Sequence, residues 1–431
     1  MIDMVWFQSS TTLSLGKVAD AMTSATRRGE RESTAVSSRM ALLLAFASGV
    51  AVANVYYSQP LLNDLGAQLH MSTADLGWVT TATQGGYLLG LVMVVPLGDR
   101  FDRRRIVIVQ LVIAALALFG TAVASSAWFF LACSALVGAA STVVQVITAF
   151  AAAVSGPGRR GRTVGVVTSG VVIGILLART VSGFIADLWG WPSVFGVAGV
   201  LMLGVAVWLA RTLPRDITDK VNLPYHRAVG SVVELTLRNR VFRVRSLIGG
   251  LMFASFGAAW GAMALPLAGA PWHLSAMHIG LFGIVGAAGA LGASGAGRWA
   301  DGGRAESVTG VTLILFLGSW LAIAQAPNSL VLLAIGLVVL DFAGEAIHVI
   351  NQHLIVESDP AKATGLIGGY MVYYSIGTGA GAIAATVAYA EGGWTMASLV
   401  GAVFVVAALA VWAGERMCTR LSCGGRSVVQ R

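Results

Sequence analysis

One stretch of the chain concentrates side chains that can carry protons. In LDFAGEAIHVINQ, residues 340–352, Asp341, Glu345 and His348 stand at i, i+4 and i+7, with Gln352 a further turn along. A helix therefore presents all four on one face. Two carboxylates a turn apart resist joint ionisation, and an imidazole beside them exchanges protons near neutral pH. The pattern fits proton coupling. The plainer alternative is a buried structural network in which the acids hold Arg179, a basic residue inside an apolar segment, by direct pairing with Asp341 or Glu345.

The elements that must position these groups follow from composition. The 431 residues are 56% hydrophobic and 11% charged, against about a quarter charged in soluble domains. Such a balance leaves apolar surface that only lipid can cover. Twelve segments are long enough to cross about 30 Å of hydrocarbon: 40–62, 76–97, 106–124, 127–153, 163–187, 193–212, 246–269, 276–300, 307–325, 329–352, 364–390 and 394–414. Strand alternation is missing, so the expected class is an all-α integral membrane protein. Asp341 falls near the middle of its segment, where a charge costs about 2.5–3.5 kcal/mol and normally faces protein or water.

An even number of crossings puts both termini on one side, and Lys and Arg choose the side. With the N-terminus inside, the outer connections 63–75, 125–126, 188–192, 270–275, 326–328 and 391–393 hold no Lys or Arg. Both termini are thus expected in the cytoplasm, and the net charge of +8 reads as a topology signal rather than a nucleic-acid surface. Residues 1–39 lack the apolar centre of a signal peptide and read as a disordered cytoplasmic tail. The long basic connection 213–245 separates two bundles of six helices, 40–212 and 246–414, ahead of a cytoplasmic tail at 415–431. The halves echo one another: Ser72 and Ser275, Gly77 and Gly280, and Trp191 and Trp394 are each 203 positions apart. Such internal symmetry marks transporters whose halves rock about a central site.

Between the second and third segments lies PLGDRFDRRR, residues 96–105, with a weaker copy, GRWADGGR, at 297–304. Asp99, Arg100, Arg103 and Arg104, with Asp301 in the copy, can form charge-assisted latches that break and remake as halves rotate. Polar residues at helical spacing mark candidate walls of a substrate cavity: Asn54 and Tyr57, Gln84, Gln145, Tyr370 and Tyr374, with Trp260 as aromatic surface and Gln352 beside the acids. Trp78, Trp128, Trp189, Trp191, Trp272 and Trp394 read as interfacial anchors. The three cysteines form no disulfide or metal pattern, no phosphate-binding G-x-x-x-x-G-K-[ST] loop or H-E-x-x-H is present, and no cofactor is expected. An enzyme is therefore not the expectation.

The 96–105 loop resembles the signature of the major facilitator superfamily, roughly G-x-L-x-D-R-x-G-R-R, departing from it at Val95 and Asp102. NVYYSQPLL (54–62), TQGGYLLGL (83–91), LDFAGEAIHVINQ and GGYMVYYSIGTGAG (368–381) are similar to a bacterial branch of drug–proton antiporter-like facilitators. The resemblance implies two pseudo-symmetric six-helix bundles in the inner membrane. It also implies a cavity lined by helices 1, 4, 7 and 10, favouring Asn54, Gln145, Trp260 and Asp341. Two family features are absent: Ser134 stands where antiporters carry an Arg, and Arg179 where their helix 5 carries a Pro. The expectation is secondary transport of a small organic solute by a monomer, with proton-driven export first. Proton-coupled uptake and a receptor without turnover are the alternatives.

Overall fold

The structure, a computed structural model, describes residues 38–155, 160–214, 234–292 and 305–424. The first 37 residues, the connection 215–233, the loop 297–304 with Asp301, and the last residues of the tail lie outside the described residues. The helices are α1 (Ser38–Ala53), α2 (Gly77–Met93), α3 (Arg103–Ala122), α4 (Ala127–Val154), α5 (Arg160–Trp189), α6 (Trp191–Thr212), α7 (Arg240–Ala268), α8 (Ala276–Gly292), α9 (Ala305–Ile323) and α10 (Leu330–Ser358). The run Ala363–Gly424 is divided by non-helical Gly392 and Gly393 into α11 and α12. Gly393 has a φ of 65°, a conformation glycine adopts without a Cβ clash. Among the described residues no strand occurs, and the twelve expected crossings each have their helix.

The first crossing is broken, as a proline at position 60 leads one to expect, although the break begins before that residue. It is a helix only to Ala53, turns through 54–58, makes a single 3-10 turn at Gln59–Leu61 and resumes as Leu62–Leu69. Pro60 has no N–H to give the carbonyl four residues back, so the helical period is lost just before it.

Helices pair in the same order within each set of six. α1 packs on α5, α2 on α4 and α3 on α6; α7 packs on α11, α8 on α10 and α9 on α12. Backbone contact through glycine makes these pairings close. A Cβ on Gly170 or Gly174 would strike the backbone at Ala45 or Gly49, and one on Gly377 or Gly381 the backbone at Gly250 or Ala254. The symmetry extends to the loops: His70 and His273, 203 positions apart, both have positive φ (53° and 48°).

Among the described residues, contacts between the two sets of six gather towards one end and the centre of the molecule. Gly77 of α2 meets Thr386 and Ile383 of α11, and the Thr81 hydroxyl donates to the Gly379 carbonyl at 2.8 Å. Symmetrically, Gly280 of α8 meets the Arg179 backbone of α5, and the Thr180 hydroxyl donates to the Gly280 carbonyl at 2.9 Å. These contacts lie towards the connections 63–75, 188–192 and 270–275. Near the opposite end, Gly161 and Gly165 of α5 and Gly365 and Gly368 of α11 face open space.

That opposite end holds a buried charge cluster invisible to the sequence reading, which assigned Arg245 to a connection. Arg245 belongs to α7, is 1% exposed, pairs with Glu306 of α9 and lies 3.7 Å from Glu415 of α12. Glu306 is 45% exposed, so losing Arg245 leaves a carboxylate that water partly solvates and Glu415 without this cation. Arg245→Leu is expected to cost about 1 kcal/mol, read as a lower unfolding temperature of the purified protein. Adding Glu415→Gln should recover part of that loss; an Arg245→Leu protein that melts like wild type would show the cluster contributes nothing.

Candidate functional site

Where the halves meet, α5 carries Arg179 into the protein interior, and the residue is only 3% exposed. Its Nε donates to Gln59 Oε1 at 2.6 Å. Its guanidinium lies over the Trp260 ring of α7 at 3.9 Å and over the Tyr56 ring at 5.1 Å. Nη2 has no hydrogen-bond partner among the described residues. The expected ion pair to Asp341 or Glu345 is not formed. Trp260 intervenes, giving its face to Arg179 and its Nε1–H to Asp341 Oδ1 at 3.1 Å.

Glycines of α8 make room for this centre. Gly280 and Gly283 pack against Arg179, and Gly286 faces the Asp341 carboxylate and the Trp260 ring. Spaced three apart, they form a stripe that lets the α5 backbone at Arg179 and the Asp341 carboxylate come close to α8.

α10 presents its polar face as the spacing predicts. Asp341 is 7% exposed and tied to Trp260, whereas Glu345 is partly exposed and makes no hydrogen bond or ion pair with a described residue. The His348 ring lies between the Tyr370 hydroxyl (Nδ1, 3.1 Å) and the Gln352 amide (Nε2, 3.1 Å). As placed, Gln352 Nε2 can only donate, so His348 Nε2 accepts and Nδ1–H donates to Tyr370. A flipped Gln352 amide would instead accept a proton-bearing Nε2–H, so the ring can change protonation without losing either neighbour.

The other proposed cavity residues divide. Tyr374 reaches the centre, where its hydroxyl meets that of Tyr56 at 2.6 Å across the halves and its ring packs on Phe253 at 4.2 Å. Gln145 donates to the Tyr87 hydroxyl at 3.3 Å, joining α4 to α2. Gln84 is buried where α2 meets α11, and Tyr57 is buried too. Asn54 points away from the centre, its amide on Met202 Sδ of α6 at 3.4 Å. The broken helix explains this: beyond Ala53 the 54/57/58 face no longer exists, and Tyr56 and Gln59 turn inward instead. Sequence reasoning missed both, although Pro60 was the signal that the period should fail.

Of the loop residues expected to form a latch, Arg104 is held here within the first six helices. Arg104 gives its guanidinium to the Ala210 carbonyl at the end of α6, and Asp102 caps α3 by accepting the Arg104 N–H at 3.0 Å. This contact stays inside the first six helices, where a cation answers the unpaired carbonyls of a helix end. Arg100 is exposed, Arg103 opens α3, Asp99 ends the 3-10 turn Val95–Asp99, and Asp301 lies outside the described residues. Two expected anchors are internal: Trp191 and Trp394 are 3% and 4% exposed and donate to Gln68 and to the Ile323 carbonyl. Trp78, Trp128 and Trp189 are exposed. Among the described residues, no group of three His, Cys, Asp or Glu is placed to hold a metal.

The arrangement places two carboxylates and an imidazole along one face of α10, with a buried cation where the halves meet. It holds no activated nucleophile. Its dependence on the α8 stripe is testable: Gly286→Ala forces Asp341 or Trp260 aside and is expected to cost about 1–3 kcal/mol of stability. Gly318→Ala, where a Cβ meets only open space, serves as control in the same thermal unfolding measurement. Equal melting of the two variants would mean the centre has slack.

The comparisons with known proteins agree with this architecture. A transporter of Escherichia coli O157:H7, YgaY, is 41% identical over 377 residues, covering 88% of this chain and 95% of its own. The 3-(3-hydroxy-phenyl)propionate transporter of E. coli K12 is 34% identical over 165 residues, 36% of this chain and 39% of that one. A bacterial homologue of the human lysosomal transporter Spinster, inward-facing and unoccupied, superposes with a TM-score of 0.72 at 17% identity, over 88% of this chain and 96% of its own. Residues 44–301 match the model of the Major Facilitator Superfamily, and the chain belongs to that family of multi-pass membrane transporters.

Proposed function

We propose that this transporter carries a small organic solute across the bacterial inner membrane by alternating access and couples the movement to protons on α10. One observation carries the alternating-access reading: among the described residues the halves meet at one end and the centre, while glycines of α5 and α11 face open space at the other end. With both termini cytoplasmic, the closed end is the outer one and this conformation faces inward. The units that rock are 40–212 and 246–414, joined by the basic connection 213–245. Glu345 supports proton coupling, as an acid one turn from Asp341 on α10 with no hydrogen-bond or ion-pair partner among the described residues.

Purified protein in liposomes with a pH dye inside tests this directly. A transported solute changes the lumen pH, and the sign gives the direction: acid for solute entering with protons, alkaline for exchange. The solute panel includes phenylpropionates, after the name of one relative. Glu345→Gln is expected to abolish the pH change while leaving the protein folded. If a solute moves and drives the same pH change without Glu345, the coupling site lies elsewhere. Tyr374→Phe removes the hydroxyl bridge to Tyr56 and is expected to favour the outward-open state about threefold to tenfold. Labelling of a cysteine placed beside Gly77 reads that shift, and unchanged labelling would remove the bridge from the gate.

A further inference from the structure

The polar centre contains an imbalance that proton coupling alone leaves unused. Arg179 carries a permanent charge, yet its neighbours are an amide oxygen and two aromatic faces, all formally neutral. No carboxylate among the described residues comes within 4.0 Å of it, and Nη2 is buried without a partner. A guanidinium in so dry a place is costly unless an anion completes its shell. The obvious internal candidate, Asp341, accepts the indole N–H of Trp260 and stays beyond ion-pairing distance of the guanidinium. Gln59 fixes Nε and the rings fix the plane, so the guanidinium is aimed before any ligand arrives.

Around the cation runs a continuous aromatic wall. Trp260 and Phe256 have ring centres 6.3 Å apart, Phe256 and Phe253 6.1 Å, and Phe253 meets Tyr374 at 4.2 Å and His348 at 5.2 Å. The wall leads from Arg179 to the polar face of α10. An anion on the guanidinium would place its apolar body along these rings, and its charge within reach of the paired Tyr56 and Tyr374 hydroxyls.

We propose that Arg179 is the cargo-binding cation of this transporter, and that the cargo is an organic carboxylate bearing an aromatic or other flat apolar group. This rests on the transport reading above and adds the chemical class. Ionised Asp341 and Glu345 would repel such an anion, so the cargo and a proton favour each other's binding, each raising the affinity for the other by the same factor.

The test is binding, which needs neither a gradient nor turnover. Detergent-purified protein is titrated with benzoate, 3-phenylpropionate and indole-3-acetate, each beside its amide and the matching ammonium compound, with thermal protection as the readout. At least one acid is expected to bind tenfold or more tighter than its amide. Arg179→Lys, which keeps the charge but loses the fork, should weaken that binding about tenfold, and Arg179→Gln should lose it. The comparison of acid with amide is made on the wild type, so it stands even where Arg179→Gln fails to fold. Amides or ammonium compounds binding as well as acids, no acid binding at all, or acid binding retained in Arg179→Gln would each overturn the proposal. A non-acidic solute that drives Glu345-dependent pH changes in liposomes would sink this inference and leave the transport reading intact. Acid binding lost in Arg179→Gln, with no solute moving protons, would uphold the inference and sink the coupling.

Discussion

Water is absent from the middle of a bilayer, so a guanidinium placed there must be answered by protein or ligand. Arg179 imposes that demand on four helices at once. α1 breaks before Pro60, and Gln59 then reaches its Nε; α7 supplies the Trp260 face; α8 gives up side chains at Gly280 and Gly283 to let α5 approach. α10 stays one residue removed, its Asp341 reached only through the indole N–H. The centre is therefore a single arrangement in which moving any helix changes what the cation sees.

The same constraint shapes the contacts between halves. Packing in lipid gains little from burying apolar surface, so association depends on close backbone approach and on hydrogen bonds between helices. Both are found at the closed end, where glycines meet backbone and Thr81 and Thr180 hydroxyls donate to carbonyls of the facing helix. Each contact is small and repeats by symmetry on the other side of the molecule. The pairings between halves, α5 with α8 and α2 with α11, rest on this close backbone approach, as does the pairing of α7 with α11 inside the second half.

Much of this was legible in the sequence, and the reasons differ by feature. The crossings and the equivalence of the halves are averages over about 20 residues, which single substitutions cannot hide. Gly77 and Gly280, matched across 203 positions, turned out to occupy equivalent contacts between halves. The α10 face was readable because the helix is continuous through Asp341, Glu345 and His348. Asn54 was misplaced because a helical period was carried through a segment that Pro60 had already broken. Arg245 escaped because a basic residue at a span's edge looks like a topology signal until its neighbours on α9 and α12 are known. Trp191 and Trp394 escaped for a related reason: nearness to a span's end says nothing about which way an indole turns.

Trp260 is the residue through which these observations connect. An indole offers a face to a cation and an N–H to an anion, so it can separate opposite charges while satisfying both. Direct pairing of Arg179 with Asp341 would neutralise each and leave nothing for a ligand or a proton to change. With Trp260 between them, the guanidinium keeps a binding edge, and the carboxylate keeps Oδ2, beside Gly286, out of the indole bond. Trp260 belongs to the second half and Arg179 to the first, so their stack joins the halves through the polar centre. Were the halves to part there, the guanidinium would leave the ring and need water or an anion in its place. The junction thus runs through one side chain whose two polar responses point in different directions.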